Sequence, residues 1–150
     1  SHPDFYLCLK VDQVLSVAEE VKNVGNQLFK NQDWKTAVKK YSKALRSAGG
    51  RGEEEEKLQQ KLEPTALSCY LNTAACNLKL QLWQDALDSC NQAKNVFVKC
   101  VCRVVQALEL NKTNTKALFR RAQAWQGLKE YSQAMVDLKK AQAISPEDKG

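Results

Sequence analysis

The 150 residues are 43% hydrophobic and 27% charged, enough for one packed domain or a short helical array. No apolar run approaches the roughly 18 residues of a membrane span, and Ser1 to Lys10 lack the apolar core and small-residue cleavage site of a secretion signal. The net charge of +6 favours an acidic partner, whether nucleic acid, anionic membrane or acidic peptide, and the placement of the charges must choose among them.

Residues 1–10 read as an extension or linker. Residues 11–48 form a first unit. It runs through Val21-Lys-Asn-Val-Gly-Asn-Gln-Leu-Phe29, breaks at Asn31-Gln32-Asp33, and resumes with Trp34. Asp33 is a suitable N-cap for the second helix of this unit, which carries Ala37, Tyr41 and Ala44-Leu45. Residues 49–57 hold Gly49-Gly50-Arg51-Gly52 and four glutamates, which fits a loop or a solvated first helical turn. Pro64 then either opens a helix or kinks a longer one.

Residues 58–92 form a second unit, with Tyr70-Leu-Asn-Thr-Ala-Ala-Cys-Asn-Leu78, a break at Gln81-Leu82, and Ala86-Leu-Asp-Ser-Cys90. Residues 107–150 complete this unit and hold a third. The third has Leu118-Phe-Arg-Arg-Ala-Gln-Ala-Trp125, a break at Lys129-Glu130, and Ala134-Met-Val-Asp-Leu138. Pro146 stops its last helix.

The three units match each other. Gly25, Ala74 and Ala122 each precede by twelve positions a further small residue, Ala37, Ala86 and Ala134. Four positions on stand the larger Tyr41, Cys90 and Leu138, which fill the next gap on the same helix face. Small residues let two antiparallel helices approach closely. This is the small-large pattern of the tetratricopeptide repeat, a helix–turn–helix unit of about 34 residues. The expected fold is all-α: three such repeats in a short right-handed solenoid with a concave groove. An unrelated bundle would need three concordant spacings by accident.

The repeats are spaced 49 and 48 residues apart, more than one unit each time. The first excess is the Gly/acidic segment. The second is Ala93 to Gln106, rich in valine and cysteine, and its removal would join Gln92 to Ala107 and restore an ordinary repeat. Residues 93–106 therefore read as an insertion or as a genuine helix extension. A continuous helix absorbs fourteen residues with little change of phase, whereas a looped-out segment leaves the third repeat packed as usual.

The six cysteines are Cys8, Cys69, Cys76, Cys90, Cys100 and Cys102, and His2 is the sole histidine. No C-x-x-C pair occurs, so the cysteines read as small buried hydrophobes in a reducing compartment and no metal is expected. Trp34, Trp83, Trp125 and Tyr131 read as packing anchors rather than stacking platforms for bases.

The first helices of solenoid repeats line the concave face. They would place there Lys22 and Asn26, four apart, then Asn72, then Lys116 and Arg120, again four apart. Lysine and arginine offer charge-assisted hydrogen bonds, arginine with a two-pronged fork. Asparagine donates through its nitrogen and accepts through its oxygen. That set suits the carboxylates of a C-terminal aspartate. Any one of these lysines alone would be an ordinary solvated charge.

These five residues resemble, in type and position, the two-carboxylate clamp of tetratricopeptide co-chaperones. The stretch Thr115 to Tyr131 and on through Pro146-Glu-Asp-Lys149 is similar to the forty-kilodalton cyclophilins, over about residues 11–92 and 107–149. The resemblance implies binding of the acidic Glu-Glu-Val-Asp tail of heat-shock protein 90, with heat-shock protein 70 as the second candidate. It implies Phe29 and Lys79 as secondary groove positions and a cytoplasmic location, with the nucleus as a second compartment. It also implies a parent peptidyl-prolyl isomerase whose catalytic domain lies outside these residues.

No phosphate-binding glycine loop, nucleophile–histidine pair or metal set is present, so neither catalysis nor a cofactor is expected of this chain. Arg120-Arg121 is too short for a nucleic-acid patch, Arg121 being turned about 100° from Arg120. Neither nucleic acid nor membrane is expected as a partner. The alternative to a working clamp is a scaffold whose third repeat the insert has displaced. The sequence reaches Gly150 without a polar capping helix after the third repeat, so self-association through the last helix is expected.

Overall fold

The computed structural model describes residues 3–46, 53–101 and 107–146. Six helices follow in order: α1 (Pro3–Lys30), α2 (Trp34–Arg46), α3 (Glu53–Lys79), α4 (Trp83–Val101), α5 (Ala107–Gly127) and α6 (Tyr131–Ile144). Each packs on its chain neighbours, and α1 packs also on α3, as α3 does on α5. Among the described residues the even-numbered helices do not pack on one another. The odd-numbered helices thus make one continuous inner layer, and the fold is an α-solenoid.

The turn within each pair is the same device three times. Gln32, Gln81 and Lys129 each stand two residues before the next helix with φ of 63°, 59° and 62°. Backbone bonds close each turn: Asp33 N–H donates to the Leu28 carbonyl at 2.9 Å, Leu82 to Asn77 at 2.8 Å and Glu130 to Trp125 at 2.8 Å. Gln32, Gln81 and Lys129 also donate to Phe29, Leu78 and Gln126. These paired bonds satisfy carbonyls at the helix end and turn the chain back. Asp33 caps α2, its Oδ1 accepting from Thr36 N–H at 3.3 Å.

Close approach of the paired helices follows from the small residues. A Cβ on Gly25 would stand 2.7 Å from Tyr41 Cε1, so the Tyr41 ring rests directly on the α1 backbone. Ala37, Tyr41, Ala44, Cys69 and Cys76 form one buried cluster, with Val21, Leu28 and Phe29 packed against it. Ala74 and Ala86 are fully buried and Ala122 nearly so. Trp34 meets the Phe29 ring edge-on at 4.8 Å, while the Trp83 ring lies where a Cβ on Gly127 would be, 2.1 Å from Cδ2. Both tryptophans are packing anchors. Leu138 departs from the pattern: Tyr41 and Cys90 are buried, but Leu138 is 38% exposed beside Tyr131, Met135 and Val136, because no described element covers this face of α6.

Several segment boundaries differ from expectation. Residues 3–10, expected as an extension, are the first turns of α1. Of the two readings of 49–57, a loop or a first helical turn, Glu53 to Lys57 take the second and begin α3; residues 49–52 lie outside the described residues. Pro64, for which the sequence allows both a helix start and a place within a longer helix, sits inside α3. Ala93 to Val101, from the expected insert, continue α4, and Ala107 to Leu110 belong to α5 rather than to the second repeat; residues 102–106 are not among those described. The reason is visible in the packing. Ala93 is fully buried against Leu67 and Leu71, with Val96 beside them, so the apolar stripe of Ala86 and Cys90 runs on past Gln92.

A buried ionic contact holds the third repeat together. The Arg121 guanidinium on α5 reaches both Asp137 oxygens on α6, at 2.7 and 2.5 Å, and Asn91 Oδ1 on α4 at 3.2 Å. The hydrogen bonds to Asp137 hold the Arg121 pKa above its ordinary value, against the opposing effect of burial. Arg121 faces this junction, as its turn from Arg120 implies.

Two outcomes are expected. Gln81→Gly removes the cost of a side chain at positive φ, about 1–2 kcal/mol, against about 0.5–1 kcal/mol of added chain entropy. Urea unfolding should show an equal or higher midpoint for this variant. Asp137→Ala strands the Arg121 charge and should lower stability by about 3–5 kcal/mol in the same measurement.

Candidate functional site

The inner layer brings polar groups from three helices toward one another. Asn26 on α1 and Asn72 on α3 touch: Asn72 Nδ2 donates to Asn26 Oδ1 at 3.2 Å. The Tyr41 hydroxyl on α2 donates to the same oxygen at 2.7 Å. Arg120 on α5 reaches α3, its Nη1 donating to the Leu71 carbonyl at 2.6 Å. Lys22, one turn before Asn26, pairs with Glu19 at 2.8 Å, and Glu19 also accepts from the Thr65 hydroxyl on α3 at 2.5 Å.

Of the expected clamp residues, Asn26 and Asn72 are in direct contact and Arg120 lies beside them through Leu71. Lys116 is exposed one turn before Arg120. Both edge an open cavity of about 680 Å³ between α5 and α6, with Phe119, Tyr131, Met135 and Leu138. The two secondary positions differ in their surroundings. Phe29 spends its ring on Trp34 and the core, and Lys79 is exposed at the end of α3. Sequence reasoning did not include Glu19 or Thr65, and it read Tyr41 as a packing residue only. Glu19 was findable, since it stands three residues before Lys22 on the same helix.

Burial pulls the Arg120 pKa below its ordinary value, which marks a cation partly stripped of water with a neutral carbonyl as hydrogen-bond partner. A bound anion would restore what desolvation removed. Burial pushes the Glu19 carboxyl up, but hydrogen bonds from Lys22 and Thr65, with the Lys22 charge, outweigh it and leave the pKa lowered. Burial is also the main cause that raises Tyr41 to about 12, so its hydroxyl keeps its proton and donates. The thiols of Cys69 and Cys76 are pushed by burial to about 11 and that of Cys90 to about 12. They are neutral packing groups at physiological pH.

No protein-family model matches the chain. Among curated proteins it is similar to peptidyl-prolyl cis-trans isomerase FKBP4 of Rattus norvegicus, 31% identical over 142 residues that cover 92% of this chain and 27% of that protein. It is similarly related to peptidyl-prolyl cis-trans isomerase FKBP42 of Arabidopsis thaliana, 31% identical over 145 residues, 94% of this chain and 35% of that one. The chain thus spans about a quarter to a third of these isomerases. Among solved structures it matches the Arabidopsis OM64 TPR domain with a TM-score of 0.64 and 26% identity, covering 91% of this chain and 88% of that one. The fold is that of a tetratricopeptide repeat domain. The expected cyclophilin parent draws no support from these relatives, whose isomerases are of the FKBP type.

The raised thiol and phenol values set an alkaline limit on stability. The groups have ordinary values of 9.0 and 10.0 and folded values of about 11 to 12. Their folded pKa values are raised, so their contribution is complete below pH 9 and is lost as pH rises through about 11 to 12. Urea midpoints should hold steady from pH 7 to about 8.5 and fall progressively above about pH 9.

Proposed function

We propose that this domain is a co-chaperone interaction module that grips the acidic C-terminal Glu-Glu-Val-Asp peptide of heat-shock protein 90. Lys22, Asn26, Asn72, Lys116 and Arg120 form the clamp. The single observation that carries this reading is the convergence of Asn26, Asn72 and Arg120, from the first helices of three repeats, around Tyr41 and Leu71. A free C-terminal aspartate presents two carboxylates on one residue. Arg120, short of solvent, supplies a forked cation to one of them. Lys22 exchanges its contact with Glu19 for the other, and the Glu19 carboxylate stays solvated. The asparagines hold the peptide end between the cations.

The alternative in which extra residues displace the third repeat is the weaker reading, because Arg120 still reaches the carbonyl of Leu71, the neighbour of Asn72. The isomerases among the relatives support a parent of that activity. In such a parent, catalysis belongs to a part that these residues do not include. Phe29 and Lys79 act at most at the groove margin, and the chaperone partner places the domain in the cytoplasm.

A titration decides the matter. A fluorescent Met-Glu-Glu-Val-Asp peptide should bind as the free acid and bind much more weakly as the C-terminal amide. Arg120→Ala and Lys116→Ala should each weaken the free acid by about 1.5–3 kcal/mol, the range for a lost hydrogen bond to a charged group. Equal binding of acid and amide would sink the clamp.

A further inference from the structure

The clamp reading leaves one question of chemistry open: why the groove should present nitrogen rather than oxygen to a carboxylate. An asparagine amide has two faces, one that donates and one that accepts. Turned one way, Asn26 binds an anion; turned the other way, it repels one. Its two orientations have nearly the same shape, so packing does not choose between them.

We propose that Tyr41 is the positioning residue of the clamp, its hydroxyl fixing the Asn26 amide with the nitrogen toward the groove; this rests on the function proposed above. Asn26 Oδ1 accepts from the Tyr41 hydroxyl at 2.7 Å and from Asn72 Nδ2 at 3.2 Å. Two donors fill its two lone pairs. The remaining face of Asn26 is its NH2, a donor. Asn72, having given one N–H to Asn26, keeps its oxygen for a peptide N–H. The pair therefore reads one carboxylate and one backbone amide, the two groups at a peptide's C-terminal end.

The opposite arrangement has a definite cost. If both amides turned over, Asn26 Nδ2 would face the Tyr41 oxygen and the Asn72 oxygen, and their mutual bonds would survive. The Tyr41 hydroxyl would then have to give up Asn26 as its acceptor and turn to Asn72, the other amide that hydrogen-bonds it. Tyr41 is fully buried, so water does not take its proton instead. The 2.7 Å bond to Asn26 Oδ1 thus weights the amide state with its nitrogen toward the groove. Gly25 makes this geometry reachable, since a Cβ there would stand 2.7 Å from the Tyr41 ring and push the hydroxyl off Asn26. The residue that lets α1 and α2 pack closely also sets the polarity of the binding face.

The test compares wild type, Tyr41→Phe, Asn26→Ala and the double variant, each against the free-acid peptide and its C-terminal amide, with thermal unfolding as the control. Tyr41→Phe keeps the ring and removes the hydroxyl. It should lower free-acid affinity about tenfold, leave the amide nearly unchanged, and so shrink the acid-to-amide ratio by the same factor. In the Asn26→Ala background it should have no further effect. A folded Tyr41→Phe with the wild-type ratio overturns the proposal, as does an undiminished effect in the Asn26→Ala background. If wild type itself fails to distinguish acid from amide, the clamp reading fails instead. A second measurement needs no variant. In the free wild-type domain the Asn26 side-chain NH2 should exchange readily with water and shift on adding the free-acid peptide in NMR spectra. An Asn26 NH2 protected from exchange would mean that it is turned inward, and the proposal would be wrong.

Discussion

The Tyr41 ring lies on the α1 backbone where Gly25 has no side chain, and much of the domain depends on that contact. It sets the distance between α1 and α2 and anchors the cluster that joins them to Cys69 and Cys76 of α3. It also carries a polar group, the hydroxyl, through an apolar layer to the inner face. A phenylalanine would fill the same space and leave Asn26 unbound on that side. Packing and recognition are thus carried by one side chain, and a change at Gly25 bears on both.

The extra length of the second repeat is organised by the same logic of matched surfaces. In an antiparallel pair, the start of one helix lies beside the end of the other. Residues Leu67 and Leu71 of the long α3 therefore meet Ala93, and Val96 packs beside them, on the prolonged α4. Ala117 of α5 joins the same cluster, so the third repeat packs on the lengthened pair without losing its hold on α3. Polar ties add to this: Lys61 of α3 reaches Asp12 of α1 at 3.1 Å, and Arg121 reaches Asp137 and Asn91. The longer helices extend the stack sideways rather than interrupting it.

Much of this was legible in the chain itself. Gly25 with Ala37, Ala74 with Ala86 and Ala122 with Ala134 mark helix contacts because steric exclusion acts at fixed spacing, and the turns at Gln32, Gln81 and Lys129 fall where that spacing puts them. Asp33 was recognisable as a cap because capping is local. Leu138 was not, because the pattern gives its size but not whether a neighbour covers it. The start of α3 was legible only as one of two readings: glycines suggest a loop, while the glutamates behind them suit a helix N-terminus. At the candidate site, the residue types on α1, α3 and α5 could be named from the sequence. Their orientation could not. The bonds from Asn72 to Asn26 and from Arg120 to Leu71 span 46 and 49 residues, and no local rule reaches so far.

The three turns have a mechanical consequence. Each is closed by main-chain hydrogen bonds between equivalent positions, with φ of 63°, 59° and 62° at the residue that turns the chain. Curvature also depends on where one pair of helices leans on another, as at the cluster of Leu67, Leu71 and Ala93 on which Ala117 of α5 packs. A bulkier side chain there would act as a shim, tilting α5 and α6 as a rigid unit about the end of α4. Arg120 would swing relative to Asn26 while every hydrogen bond within the tilted pair stayed intact. Groove aperture is in this sense an adjustable dimension, tuned by the thickness of apolar spacers outside the proposed clamp.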